Sequence, residues 1–145
     1  MTQQPSDAIT GLYDAFNSGD VEKAREFIAP DVVAHLPGTS GDAEHPPGTP
    51  RDRAGWLAVW QFTQAVFPDM RATVEQIVQT GDTVASRCVV RGTHTVEFMG
   101  IPPTGKSFEM LMLNMSRVQN GKIVEHWTIS DNVTMLAQLG LKAPQ

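Results

Sequence analysis

Apolar residues recur at two spacings along this chain, every three or four positions in its first half and every second position in its second. Over residues 6 to 18, Ile9, Leu12, Tyr13 and Phe16 share one side of a helix, with Ser6 and Asp7 as caps and Asn17-Ser18-Gly19-Asp20 as the stop. Residues 20 to 28 repeat the pattern with Val21, Ala24, Phe27 and Ile28, and Ala29-Pro30-Asp31 ends it. Val32-Val33-Ala34-His35-Leu36 predicts a short strand. Residues 37 to 50, dense in Pro and Gly, predict a long loop of the kind that serves as a lid or mobile segment. A third helix follows over 51 to 66, carrying Trp56, Val59, Trp60, Thr63 and Val66, and Phe67-Pro68-Asp69 stops it because proline cannot extend a helix.

From Arg71 onward the period changes to two. Residues 71 to 79, 84 to 94 and 107 to 118 predict strands, the last with Phe108, Met110, Met112, Asn114 and Ser116 on one face. Asn120-Gly121 is a strong two-residue hairpin signal, and the strand after it runs to Asp131. Strict alternation puts Val124, His126, Thr128 and Ser130 on one face and Ile123, Glu125, Trp127, Ile129 and Asp131 on the other. Asp131-Asn132 then caps a closing helix with Val133, Met135, Leu136 and Leu139. Early helices followed by hairpin-linked strands predict one α+β domain over residues 1–145, a curved antiparallel sheet with about three N-terminal helices on its concave side.

Composition narrows the function classes. The 145 residues, 41% of them hydrophobic, suffice for one core, and the net charge of −5 with scattered Lys and Arg argues against nucleic acid as a partner. The single cysteine, Cys88, permits no internal disulfide and no thiolate zinc site, and reads as a small buried thiol. The four histidines sit on different elements, so no metal is expected; His45, beside Glu44 and Asp42, reads as exposed loop charge. No apolar run reaches membrane-spanning length, and Met1-Thr2-Gln3-Gln4-Pro5 lacks the features of a secretion signal, so a cytoplasmic protein without membrane contact is expected.

The candidate chemistry gathers on the last long strand. His126 carries an imidazole on the same face as the Thr128 hydroxyl, and can be an acid/base group or a structural histidine. Asn114, one hairpin arm away, can orient a carbonyl but cannot exchange protons. Asp131 is either a helix cap or a displaced acid/base. Tyr13 and His35 are candidates to line a cavity, with Trp56, Trp60, Met110 and Met112 as its apolar wall, a composition that suits a bulky apolar small molecule.

The words Tyr13-Asp14-Ala15-Phe16-Asn17-Ser18-Gly19-Asp20, Ala29-Pro30-Asp31-Val32-Val33, Phe67-Pro68-Asp69-Met70, Arg91-Gly92-Thr93-His94, Phe98-Met99-Gly100-Ile101-Pro102-Pro103-Thr104-Gly105 and Gly121-Lys122-Ile123-Val124-Glu125-His126-Trp127, in this order, resemble the SnoaL-like polyketide cyclases of the nuclear transport factor 2 and ketosteroid isomerase superfamily. The resemblance implies a cone-shaped fold, a homodimer, and intramolecular aldol ring closure without metal or cofactor. It puts the family's acid/base Asp at Thr128 and a pocket His at Asn114, leaving His126 as the retained histidine. Two classes follow: a cofactor-free cyclase acting on a polyketide-like carbonyl compound, and a non-catalytic small-molecule binder of the same fold. An epoxide hydrolase lacks its Asp-Arg-Asp arrangement here, and a ketosteroid isomerase lacks its buried Asp base.

Overall fold

The computed structural model describes residues 4–37, 49–98 and 100–141. Helix α1 (Pro5–Ser18) buries Ile9, Leu12, Tyr13 and Phe16, the face its periodicity marks. Gly19 ends it in the left-handed conformation, where a side chain would be strained. Helix α2 (Val21–Glu26) is capped by the Asp20 carboxylate, which accepts from the Lys23 backbone N–H. Helix α3 (Arg53–Val66) is capped in the same way by Asp52. The closing helix α4 (Asn132–Gln138) takes its cap from Asp131.

Among the described residues, five strands form one curved sheet in the order β1-β5-β4-β3-β2. They are β1 (Ile28–His35), β2 (Arg71–Thr80), β3 (Thr83–Thr93), β4 (Ser107–Gln119) and β5 (Lys122–Ser130). β2 to β5 pair antiparallel as the hairpin signals predict, but β1 runs parallel to β5 along the edge. β1 also starts earlier than the sequence suggests and contains Pro30. An edge strand tolerates proline, and the β1–β5 register breaks between Ile28 and Val33 around it.

β5 departs from strict alternation at one residue. Arg117 pairs with Glu125, but Val118 pairs with Ile123, so Val124 is an extra residue without a partner. The expected faces therefore change at the start of the strand: Ile123 points inward and is fully buried, sharing the core with Ile9, Leu12, Ile28 and Trp56. His126, Thr128 and Ser130 keep the inward face. A second cluster, built on Phe67, Phe108, Met135 and Leu139, closes the other end of the sheet. The expected loop over 37 to 50 is described only at its ends, and His45, Glu44 and Asp42 lie outside the described residues, as does Met99.

The outward face of β4 and β5 is bare. Leu111, Leu113, Met115, Trp127 and Ile129 all stand exposed there, Ile129 to 75%. Exposed apolar faces are where proteins commonly associate, and the homodimer expected from the sequence would cover this one. Light scattering of the purified chain should give twice the monomer mass at micromolar concentration, and Leu113→Lys combined with Ile129→Lys should give folded monomers. A monomeric wild-type chain would contradict this.

Candidate functional site

Three adjacent strands place one polar side chain each on the inward face. Ser86 on β3, Asn114 on β4 and Thr128 on β5 are register partners in one row, and Ser116 and His126 are partners in the next. The side chains join into a chain of hydrogen bonds. Ser116 Oγ lies 2.6 Å from His126 Nδ1, and His126 Nε2 lies 2.6 Å from Thr128 Oγ1. Thr128 Oγ1 donates to Asn114 Oδ1 at 2.8 Å. Asn114 Nδ2 donates to Ser86 Oγ at 3.2 Å and approaches Cys88 Sγ at 3.5 Å.

The proton positions follow from counting donors. A hydroxyl has one proton, and Thr128 gives its own to Asn114. Thr128 must then accept from His126, which places the imidazole proton on Nε2. Nδ1 is left as the acceptor for the Ser116 hydroxyl. The chain thus runs one way, from Ser116 through His126 and Thr128 to Asn114.

Trp56 of α3 lies flat on the His126 ring, centroids 4.4 Å apart. Together with the sheet it buries His126 to 1% exposure. Burial disfavours the charged ring, and His35 adds a smaller opposing charge, so the imidazole pKa is pressed down to about 3. Burial likewise pushes the Cys88 thiol up to about 11 and raises the Tyr13 phenol, against which a hydrogen bond with Asn114 works in the other direction. All three groups are neutral at neutral pH.

These residues stand at one end of a cavity of about 180 Å³. His126, Thr128, Ser130 and Asn132 supply polar groups from β5 and the start of α4, Asn17 and Thr63 add two from the helices, and Tyr13, Trp56, Trp60, Met110 and Met112 lie along its wall, as the sequence suggests. Phe16 stacks on Trp60 at 4.5 Å and fixes that wall. No Asp, Glu, Lys or Arg lines it among the described residues. Two wider depressions, near 550 and 520 Å³, lie along charged stretches of sheet (Arg71, Arg91 and Glu109 in one, Arg71 and Glu75 in the other) and contain no imidazole. No group of three or more metal-ligating side chains occurs among the described residues.

Two of the residues marked by the sequence pattern, Asn114 and His35, stand differently from expectation, and Asp131 takes the cap role, one of its two expected readings. Asn114 touches Thr128 but sits behind it, outside the cavity lining. His35 faces outward: it stacks on Trp127 at 5.3 Å and bonds Glu125 at 3.0 Å, because β1 and β5 are parallel neighbours with His35 beside Trp127. Asp131 is exposed and holds the first turn of α4 through the Thr134 backbone N–H and hydroxyl, which lower its pKa. Neither His35 nor Asp131 joins the site. Ser116 and Ser86 carry no sequence signal that singles them out as functional, although the alternation of β4 puts Ser116 on the face of Asn114.

Because His126 is harder to protonate in the folded chain than in the unfolded one, its neutral burial supports stability above about pH 6.5. That support is lost as pH falls from 6.5 toward 3, by about 2 kcal/mol between pH 7 and pH 5. Thermal melts should show a lower Tm at pH 5 than at pH 7, and His126→Gln should flatten that difference. An equal pH dependence in both proteins would show that His126 is not held neutral.

Comparison with known proteins agrees with this architecture. The family model of the SnoaL-like polyketide cyclases matches residues 6–139. The crystal structure of wild-type IdmH from Streptomyces antibioticus superposes with a TM-score of 0.90 at 78% identity, covering 96% of this chain and 100% of that one. Nogalonic acid methyl ester cyclase of Streptomyces nogalater is 28% identical over 89% of this chain and 92% of its own length. Aklanonic acid methyl ester cyclase DnrD of Streptomyces peucetius is 25% identical over 92% and 89%. With the family's pattern running through both its helices and its sheet, this chain belongs to the SnoaL-like polyketide cyclases.

Proposed function

We propose that the chain is a cofactor-independent cyclase, cytoplasmic and homodimeric, that closes a ring within a polyketide-like carbonyl compound by acid/base chemistry. One observation carries the reading: a neutral, desolvated imidazole backs a hydroxyl in a largely apolar cavity that no charged side chain lines among the described residues. Aldol-type closure forms one carbon–carbon bond. As it forms, the enol O–H loses its proton and the attacked carbonyl oxygen gains one, so no net charge need persist. In one relay Thr128 Oγ1 takes the enol proton while its own, turned from Asn114, passes to the carbonyl oxygen, so that Thr128 ends as it began. The Nε2–H of His126 holds the Thr128 oxygen through the relay, and the dry wall strengthens the interaction. Trp60, Met110 and Met112 hold the carbon skeleton folded, which supplies proximity.

The absence of any carboxylate from the described lining favours one alternative, a binder of the same fold that holds its ligand without converting it. Aklanonic acid methyl ester, the substrate named for a relative, is the probe that separates the two. The wild-type chain should cyclise it, and Thr128→Val and His126→Ala should each lower kcat by roughly 10²–10⁴-fold without loss of fold. Binding without turnover would favour the binder, and Thr128→Asp should then introduce turnover. Full activity in both variants would place the proton transfer elsewhere.

A further inference from the structure

An amide differs from a hydroxyl in having a fixed donor end and a fixed acceptor end. Ser116, Thr128 and Ser86 can each rotate to give or take a proton. In Asn114 the two ends differ: Nδ2 donates to Ser86 and Cys88, and Oδ1 accepts from Thr128. Asn114 is thus the one member of the chain able to set its direction. Once Oδ1 has taken the Thr128 proton and His126 Nε2–H has taken one lone pair of Thr128 Oγ1, a single lone pair remains on that oxygen.

We propose that Asn114 is a positioning residue that makes the Thr128 hydroxyl an acceptor, so that the Thr128 position of the cavity takes a ligand O–H group, an enol or hydroxyl, in preference to a bare carbonyl. This deepens the cyclase reading and rests on its placement of the ligand in the cavity. Sequence alone has Asn114 orient a ligand carbonyl; in the structure it orients Thr128 instead. The Trp56 stack and the Ser116 bond leave the imidazole no other orientation in which to serve Thr128. A ligand entering as the keto form would meet no free donor on Thr128 and would have to turn to Ser130 or Asn132. One entering as the enol would place its O–H on the remaining lone pair.

Nitrogen-15 NMR of the His126 ring tests the direction of the chain without any substrate. The wild type should show the proton on Nε2. Ser116→Ala should keep it there, because Asn114 still dictates the direction. Asn114→Ala should release it, with the Nδ1–H form appearing as Thr128 turns toward the ring. A pair of probes tests recognition: 2-naphthol, which carries an O–H, and 2-methoxynaphthalene, which does not. The wild type should prefer the naphthol by roughly two- to tenfold, one hydrogen bond's worth. Thr128→Val should abolish the preference, and Asn114→Ala should shrink it by improving the ether. An imidazole already on Nδ1–H in the wild type, or equal binding of the two probes, would overturn the proposal. Turnover of the ester by the wild type would leave the cyclase reading standing in that case.

Discussion

The functional geometry depends on one extra residue in β5. A regular two-residue hairpin at Asn120-Gly121 would continue the pairing of Gln119 with Lys122 and Val118 with Ile123 down both strands. Asn114 would then face Trp127, and Ser116 would face Glu125. The unpaired Val124 shifts the remainder by one position, and a shift of one moves every side chain to the other face. Only after that shift do Asn114 and Thr128, and Ser116 and His126, become partners. Ile123 lies on the turn side of the bulge and faces inward beside Val118 in either register. What the extra residue turns inward is His126, Thr128 and Ser130, in place of Glu125, Trp127 and Ile129.

The surroundings of that chain follow from two opposed needs. Buried polar atoms must be hydrogen-bonded, and Ser86, Asn114, Ser116 and His126 are all at or below 5% exposure. They satisfy one another in sequence, which is why the row is continuous from β3 to β5. The apolar wall, meanwhile, keeps ionised groups away, and the stacked Trp56 denies water to the ring. A network satisfied in this way is rigid. The rigidity is what allows a neutral histidine and a hydroxyl to serve as an oriented polar end, without a carboxylate to fix them.

Much of this was legible in the sequence and some was not, for identifiable reasons. Helical spacing in residues 6 to 18 and 51 to 66 marked the helices and their buried faces, because core packing there obeys a single period. Alternation in β4 put Asn114 and Ser116 on one face. The inward placement of His126 and Thr128 was likewise readable, since both lie beyond the bulge. The bulge itself carries no sequence mark: Val124 is as good a strand residue as its neighbours. Ile123 was therefore assigned to the wrong face, and Ser116 was not connected to His126. The parallel course of β1 is set by pairing distant in sequence, and it alone decides that His35 stacks on Trp127 outside and not in the cavity.

The central claim is that ligand chemistry belongs to the His126–Thr128 end of this cavity. A crystal structure of the chain with 2-naphthol bound tests it most directly. The account predicts the rings between the Trp56 and Trp60 side of the wall and Met110, with the naphthol oxygen within hydrogen-bond reach of Thr128 Oγ1. Density for the probe in the charged depression beside Arg91, or in the cavity with its oxygen turned away from Thr128, would contradict it.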